Sequence, residues 1–126
     1  MKAFHWIVLA LALIQAGWFM FDGGRALVAG DYVTPTSGPH AGQLGPWSRI
    51  VSALGFEPRS TFIKCLHLAL GFAWFSGTIV FVVRPGLGWW FLLGCAVASL
   101  WYLPIGTILS IVVIALLLAP QNRNLL

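Results

Sequence analysis

The chain has 126 residues, of which 60% are hydrophobic and only 8% are charged, and its formal net charge is +4. A soluble domain is usually about 25% charged, so this chain has too few charged residues to cover a water-facing surface. We therefore expect an integral membrane protein with one domain over residues 1–126. The positive charges are scattered, which favours contact with anionic membrane lipids and excludes nucleic acid as the expected partner.

The first predicted helix covers about residues 4–28. Its apolar run is longer than the about 7–15-residue core of a signal peptide, so we expect an uncleaved transmembrane helix. Asp22 and Arg25 have the spacing at which two side chains can pair on one helix face. Gly30 is the expected residue just after the helix end. The pair Gly23–Gly24 weakens the helix, which leaves a kink or an earlier end as alternatives.

A long first loop follows, rich in glycine and proline, and we expect it to be ordered. Within it, apolar residues at helical spacing predict a short amphipathic helix at about residues 46–54. A tryptophan-bearing helix of this length fits the headgroup plane or the mouth of a helix bundle. A packed loop helix without a function is the alternative. The predicted apolar face consists of Trp47, Ile50, Val51 and Leu54.

Three further transmembrane helices are predicted at about residues 62–83, 87–103 and 104–119, with Ser60 as the N-cap of the first. Because Pro104 cannot lie inside a regular helix, the last two form a tight hairpin. One unbroken helix and a re-entrant pair are the alternatives. The tryptophans and tyrosines then fall mostly at two levels, as in interfacial belts. The predicted fold class is an all-α bundle of four transmembrane helices with the amphipathic helix in its first loop.

Small residues allow helices to pack closely in lipid. The second long helix carries Ala69, Ala73 and Gly77 at four-residue spacing, and we expect this stripe to make the central helix contact. Lysines and arginines are almost balanced between the two membrane faces; we expect both termini on the cytoplasmic side. Cys65 and Cys95 lie at different depths in their helices, so we expect two reduced thiols.

Ionisable residues inside apolar spans are costly and are candidates for functional sites. Lys64 and His67 lie near the start of the second long helix, on the same membrane side as Asp22 and Arg25. With His40 from the loop, they form the predicted polar site, which could bind an anionic headgroup, a quinone oxygen or another polar ligand. In the alternative interpretation, Lys64 extends to the interface, Asp22 pairs with Arg25, and His67 is hydrogen-bonded within the fold.

Catalytic constellations, metal-ligand spacings and phosphate-binding glycine loops do not occur in the sequence. A haem held by two histidines would need His5 and His67 on one side of the membrane, but antiparallel helices put them on opposite sides. We therefore expect no cofactor, no bound metal and no enzymatic activity.

The segment Leu100–Leu109, with the sequence Leu-Trp-Tyr-Leu-Pro-Ile-Gly-Thr-Ile-Leu and an aliphatic run after it, resembles the last hairpin of small bacterial four-helix membrane proteins, including the DoxX-like family. The resemblance implies a four-helix bundle in the bacterial inner membrane and transfers no functional residue. We expect a structural or accessory subunit of a membrane assembly, whose partners are lipids and other subunits or further copies of the chain. The alternatives are a lipid- or quinone-type binder at the polar site and a transporter or channel formed by oligomerisation.

Overall fold

The computed structural model describes residues 3–39, 41–102 and 104–119. Within these residues the chain forms helices and no strand, which confirms the predicted all-helical fold class for this part of the chain. The helices are α1 (Ala3–Ala29), α2 (Trp47–Ala53), α3 (Thr61–Val83), α4 (Pro85–Ala98) and α5 (Ile105–Leu118).

The four longer helices fall into two length classes. α1 and α3 have 27 and 23 residues and are long and apolar enough to cross a membrane. They measure about 40 and 35 Å at the helical rise, whereas the 14 residues of α4 or α5 measure about 21 Å. Only 39% and 33% of the most apolar windows of α1 and α3 are buried, so both helices expose wide apolar faces.

The four longer helices form a ring in which α1 packs against α3 and α5, and α4 packs against the same two helices. Neighbouring helices run antiparallel. The indole Nε1 of Trp89, at the start of α4, donates to the carbonyl of Leu117, near the end of α5, at 2.7 Å. At the opposite end of the ring, the Phe19 ring of α1 stacks on the Tyr102 ring, which precedes α5, with 4.1 Å between centroids.

α1 and α3 begin and end within one residue of the predicted bounds. Ser60 is the N-cap of α3, since its hydroxyl accepts a hydrogen bond from the N–H of Ile63 at 3.3 Å. Gly30 follows α1 with a φ of +94°, a left-handed conformation that favours glycine. The Gly23–Gly24 pair does not end α1, because the helix continues to Ala29.

The predicted bounds 87–103 are wrong for α4 at both ends. α4 begins at Pro85, which is tolerated in the first turn because the first N–H groups of a helix have no intrahelical partner. It ends at Ala98, and an irregular turn precedes α5. The Thr107 hydroxyl of α5 donates to the Leu100 carbonyl of that turn at 2.7 Å. Leu103, the predicted end, lies outside the described residues.

Glycines bring the backbones of α1 and α3 together at two places. A Cβ atom at Gly23 would lie 2.6 Å from the backbone nitrogen of Leu68, and one at Gly71 would lie 2.8 Å from the backbone nitrogen of Met20. Real Cβ contacts are longer, so neither position has room for a side chain. Interhelical approach of this kind is the usual use of small residues in membrane helices.

The predicted stripe of Ala69, Ala73 and Gly77 is not one interface. Gly77 packs against α4, where a Cβ atom would lie 2.8 Å from the Leu92 side chain, but Ala69 is exposed and Ala73 is only partly buried. The prediction is wrong because α3 has two neighbours. Its buried face runs through His67, Gly71, Trp74, Thr78 and Phe81.

Candidate binding site

The loop between α1 and α3 covers the end of the ring where α4 and α5 meet. From α2, the indole of Trp47 is buried with its centroid 6.0 Å from that of Trp101 and 6.4 Å from that of Tyr102. The short helix therefore lies against the mouth of the bundle. Val51 is also buried, and Ile50 is partly buried. Leu54 follows the helix as its C-cap and is exposed, so the predicted apolar face is only partly covered by the bundle.

His67 of α3 is fully buried beneath Trp47. We call His67 and the five rings around it the His67 cluster. Four of the five rings belong to the loop or to the α4–α5 turn, which ties the loop to the bundle. The ring centroids lie at these distances from the imidazole: Trp47 4.5 Å, Tyr32 5.0 Å, Trp101 5.3 Å, Tyr102 5.3 Å and Phe19 5.8 Å.

The hydrogen bond of His67 defines its tautomer. Nδ1 lies 2.8 Å from the Ile63 carbonyl oxygen, which can only accept, so Nδ1 carries the proton and Nε2 keeps a lone pair in the neutral ring. Nε2 has no hydrogen-bond partner among the described residues. Because an imidazolium without an acidic partner would be costly in this apolar cluster, His67 is best described as a neutral, packed side chain.

Asp22 lies on α1 beside the His67 cluster and accepts a hydrogen bond from the Tyr102 hydroxyl. The ion pair that is present in the described part of the chain joins Arg59 to Asp31, and none involves Asp22. The predicted pair between Asp22 and Arg25 is therefore not formed. Arg25 instead points outward and donates to the Asp31 carbonyl at 2.7 Å.

Lys64 makes a similar contact, since its ammonium donates to the Gly30 carbonyl at 2.8 Å. Carbonyls at the end of a helix lack intrahelical partners and carry partial negative charge. Arg25 and Lys64 thus bind the chain just after α1 and do not face His67. His40 lies outside the described residues. Of the residues in the predicted polar site, the structure therefore brings only Asp22 and His67 together. Tyr102 connects them, since its hydroxyl donates to Asp22 and its ring packs against His67.

Arg59 ties the start of the loop to its end. Its guanidinium donates to both carboxylate oxygens of Asp31, at 3.0 and 3.2 Å, and to the Gly42 carbonyl at 2.9 Å. Partial burial raises the pKa of the Asp31 carboxyl, but the hydrogen bonds from Arg59 and from the Tyr32 N–H outweigh burial and hold this pKa below its ordinary value. Burial, reinforced by the charges of Asp22 and Asp31, raises the pKa of the Tyr32 hydroxyl, which therefore stays protonated.

A cavity of about 230 Å³, here called the α1–α5 cavity, lies between α1 and the start of α5. Asp22 and Tyr102 form its polar corner. Trp18, Phe21 and Ile105 form its rim and are 44%, 55% and 43% exposed, so the cavity opens at the outer surface of the helix ring. The other lining residues are Val33, Gly45, Trp47, Pro104 and Gly106.

One buried polar contact below the cavity was missed by sequence reasoning. The Gln15 amide nitrogen donates to the Gly106 carbonyl and to the Ser110 hydroxyl, both at 3.0 Å. Its amide oxygen has no hydrogen-bond partner among the described residues. The sequence signal for this contact is a single glutamine within an apolar run. Glutamine is not ionisable, so Gln15 is not among the ionisable residues from which the polar site is predicted. Tyr102 was likewise considered only as an interfacial ring.

Among the described residues, no group of three or more histidines, cysteines, aspartates or glutamates is placed to hold a metal ion. Cys65 is exposed and Cys95 is buried, and both are free thiols. Comparison of the chain with protein-family models, with curated proteins and with solved structures finds no match. The fold and the cavity are thus the features from which a function has to be inferred.

Proposed function

We propose that this chain is a four-helix membrane protein that binds an amphiphilic small molecule of the lipid or quinone type in the α1–α5 cavity. The observation that carries the proposal is the make-up of this cavity, which has an apolar rim and a single polar corner at Asp22 and Tyr102. Small-molecule pockets are mostly apolar and use a few polar groups to orient the ligand. An opening between two apolar helices admits a ligand directly from the bilayer.

The proposed membrane arrangement places α1, α3, α4 and α5 in the bilayer. It is supported by large apolar side chains that are exposed on all four helices, for example Ile7, Phe72, Trp90 and Ile111. α4 and α5, at about 21 Å, are shorter than the about 30 Å thickness of the hydrocarbon core. A short span is accommodated by local thinning of the bilayer.

The turn between α4 and α5 then lies below the membrane surface. Non-helical backbone at such a depth has to be covered by protein. Ser99 and Tyr102 of this turn are buried, and Trp47 from the loop packs on Tyr102. Coverage of the turn by the loop supports this arrangement. A bacterial inner-membrane location and cytoplasmic termini are further parts of the proposal.

The accessory-subunit function is the second candidate, and the shortness of α4 and α5 favours it. A span that is shorter than the bilayer promotes association with other helices. Partners in that case are membrane subunits or further copies of this chain, which contact the exposed faces of the hairpin.

The test compares two tryptophan substitutions on α5. Ile105→Trp fills the rim of the α1–α5 cavity, whereas Ile111→Trp adds the same side chain to an exposed position that does not line the cavity. The full chain is purified from its native membrane in an uncharged detergent, and the mass of the intact particle is measured. We expect a retained lipid or quinone in the wild type and in Ile111→Trp, and its loss in Ile105→Trp. Equal retention in both variants would contradict the proposal, and a stoichiometric protein partner without a small molecule would favour the accessory-subunit function.

A further inference from the structure

The α1–α5 cavity contains one charged side chain, Asp22, and no lysine or arginine lines it. One carboxylate oxygen, Oδ2, accepts the hydrogen bond from Tyr102. The other, Oδ1, accepts no hydrogen bond from the described residues. A partly buried carboxylate usually has a cationic partner or several hydrogen bonds, because burial penalises its charge. The protein supplies neither of these to Oδ1.

The walls beside Asp22 are aromatic. Trp18, Phe21, Trp47 and Tyr102 all line the cavity. The faces of such rings attract cations, tryptophan most strongly. A carboxylate with an open oxygen among aromatic rings has the chemistry that recognises a positively charged nitrogen, whereas a head that carries only negative charge would be repelled by Asp22.

We infer that the ligand of the α1–α5 cavity is an amphiphile with a cationic nitrogen head, bound by the Asp22 carboxylate and the Trp18 ring with its apolar chain extending into the bilayer. This inference rests on the proposed function and names the ligand class. The cavity, at about 230 Å³, is below the about 300–1,000 Å³ of a typical ligand pocket. It therefore accommodates the head and the first part of a chain, while the rest of the chain passes between Phe21 and Ile105 at the rim.

The test uses two probes that differ in charge but not in chain length, dodecylammonium and dodecanol. Binding of each to the full chain is measured by native mass spectrometry in uncharged maltoside micelles. We expect the wild type to bind dodecylammonium about ten- to hundredfold more tightly than dodecanol, as for a hydrogen bond to a charged group. Asp22→Asn keeps the size of the side chain and an oxygen that can accept from Tyr102. Asp22→Asn should therefore abolish the preference, so that the two probes bind about equally tightly.

A second variant keeps the test valid if Asp22→Asn does not fold. Trp18→Leu changes a rim side chain that is already 44% exposed. It should weaken dodecylammonium binding about threefold while leaving dodecanol binding unchanged, which is the smaller effect expected of a cation–π contact. Lysophosphatidylethanolamine serves as a third probe. If the wild type binds it and Asp22→Asn does not, a lipid headgroup is the source of the cation. If dodecylammonium alone is bound, the source is a free amine.

The outcomes separate this inference from the function on which it rests. If Ile105→Trp abolishes binding of both probes but Asp22→Asn leaves their ratio unchanged, the cavity binds amphiphiles and the cationic class is wrong. If wild type binds the two probes equally, the cationic class is also wrong. If Ile105→Trp leaves the binding of both probes intact, the proposed function itself fails.

Discussion

α1 is joined to α3 and to α5 by different contacts. α1 and α3 are long, and at Gly23 and Gly71 the backbone of one helix meets the other without intervening side chains. α4 and α5 are much shorter, and α5 is joined to α1 by the Gln15 and Asp22 side chains through hydrogen bonds to Gly106, Ser110 and Tyr102.

The difference in length leaves a recess above the hairpin, on the loop side of the ring. The chain fills it with the rings of the His67 cluster, of which Trp47 comes from the short helix in the loop. The same recess contains the α1–α5 cavity beside Asp22. Glycines therefore bring the long pair into direct backbone contact, while the shorter hairpin leaves the space that contains the cavity.

The largest expected effect comes from emptying the recess. Trp47→Ala removes a buried indole that contacts His67, Tyr32, Trp101 and Tyr102, and it should lower the free energy of unfolding by about 3–5 kcal/mol. Unfolding of the purified protein by a denaturing detergent measures this loss. The control is Trp6→Ala, because Trp6 is exposed on α1; its effect should stay within about 0.5 kcal/mol. Similar losses in both variants would show that Trp47 does not plug the recess.

The glycine contacts of the long pair provide the next effect. In Gly71→Ala the new methyl group would meet the Met20 and Ala16 backbones, so α1 and α3 have to separate. We expect a loss of about 1–3 kcal/mol in the free energy of unfolding, as for an overpacked core. Gly94→Ala is the matched control on α4, where a Cβ atom would meet nothing within 4 Å. It should be neutral or stabilising by up to about 1 kcal/mol. If Gly94→Ala were also destabilising, the loss in Gly71→Ala could not be assigned to the close contact between α1 and α3.

The polar link from α1 to the hairpin provides an effect of similar size. Tyr102→Phe removes the hydroxyl that donates to Asp22 and should cost about 1.5–3 kcal/mol, the range for a hydrogen bond to a charged group. Tyr32→Phe is the control, because the Tyr32 hydroxyl lies 3.4 Å from His67 Nδ1 and that nitrogen already donates to Ile63. If Tyr102→Phe and Tyr32→Phe lower the free energy of unfolding by the same amount, the hydrogen bond from Tyr102 to Asp22 makes no contribution of its own to stability.

The smallest effect concerns the loop tether between Arg59 and Asp31. The pKa of Asp31 is lowered in the folded protein, so the contribution of the pair is complete above the unfolded pKa of about 3.9 and is lost as the pH falls through the folded value. The pair is exposed, and we expect it to contribute no more than about 1 kcal/mol at neutral pH. The difference in unfolding free energy between wild type and Asp31→Asn should therefore shrink on acidification; a difference that grows would contradict this assignment.

The helix pattern was largely predictable because it depends on local signals. Ser60 and Gly30 mark a helix start and a helix end by their own chemistry. The bounds of α4 were not predictable in this way. The chain leaves the helix at Ser99, whose hydroxyl accepts the Trp74 indole N–H at 2.9 Å. That contact depends on where α3 lies in the folded protein.

The site was harder to predict than the fold for the same reason. Spacing suggested that Asp22 pairs with Arg25, but its partner is Tyr102, 80 residues further along the chain. Arg25 and Lys64 were grouped with His67 by membrane level, yet they bind the loop backbone. The position of a residue along its helix follows from the sequence, whereas the direction of its side chain follows from the packing of the helices.

Side-resolved cysteine labelling tests the membrane arrangement most directly. In a variant in which Cys65 and Cys95 are replaced, single cysteines are introduced by Ala29→Cys, Leu100→Cys and Arg84→Cys. An aqueous maleimide is then applied to either face of sealed vesicles. We expect the positions at 29 and 84 to react from opposite faces and the position at 100 to be protected, because the proposed arrangement puts the hairpin turn below the membrane surface. Reaction at 29 and 84 from one face, or rapid labelling at 100, would contradict four embedded helices with a shorter hairpin.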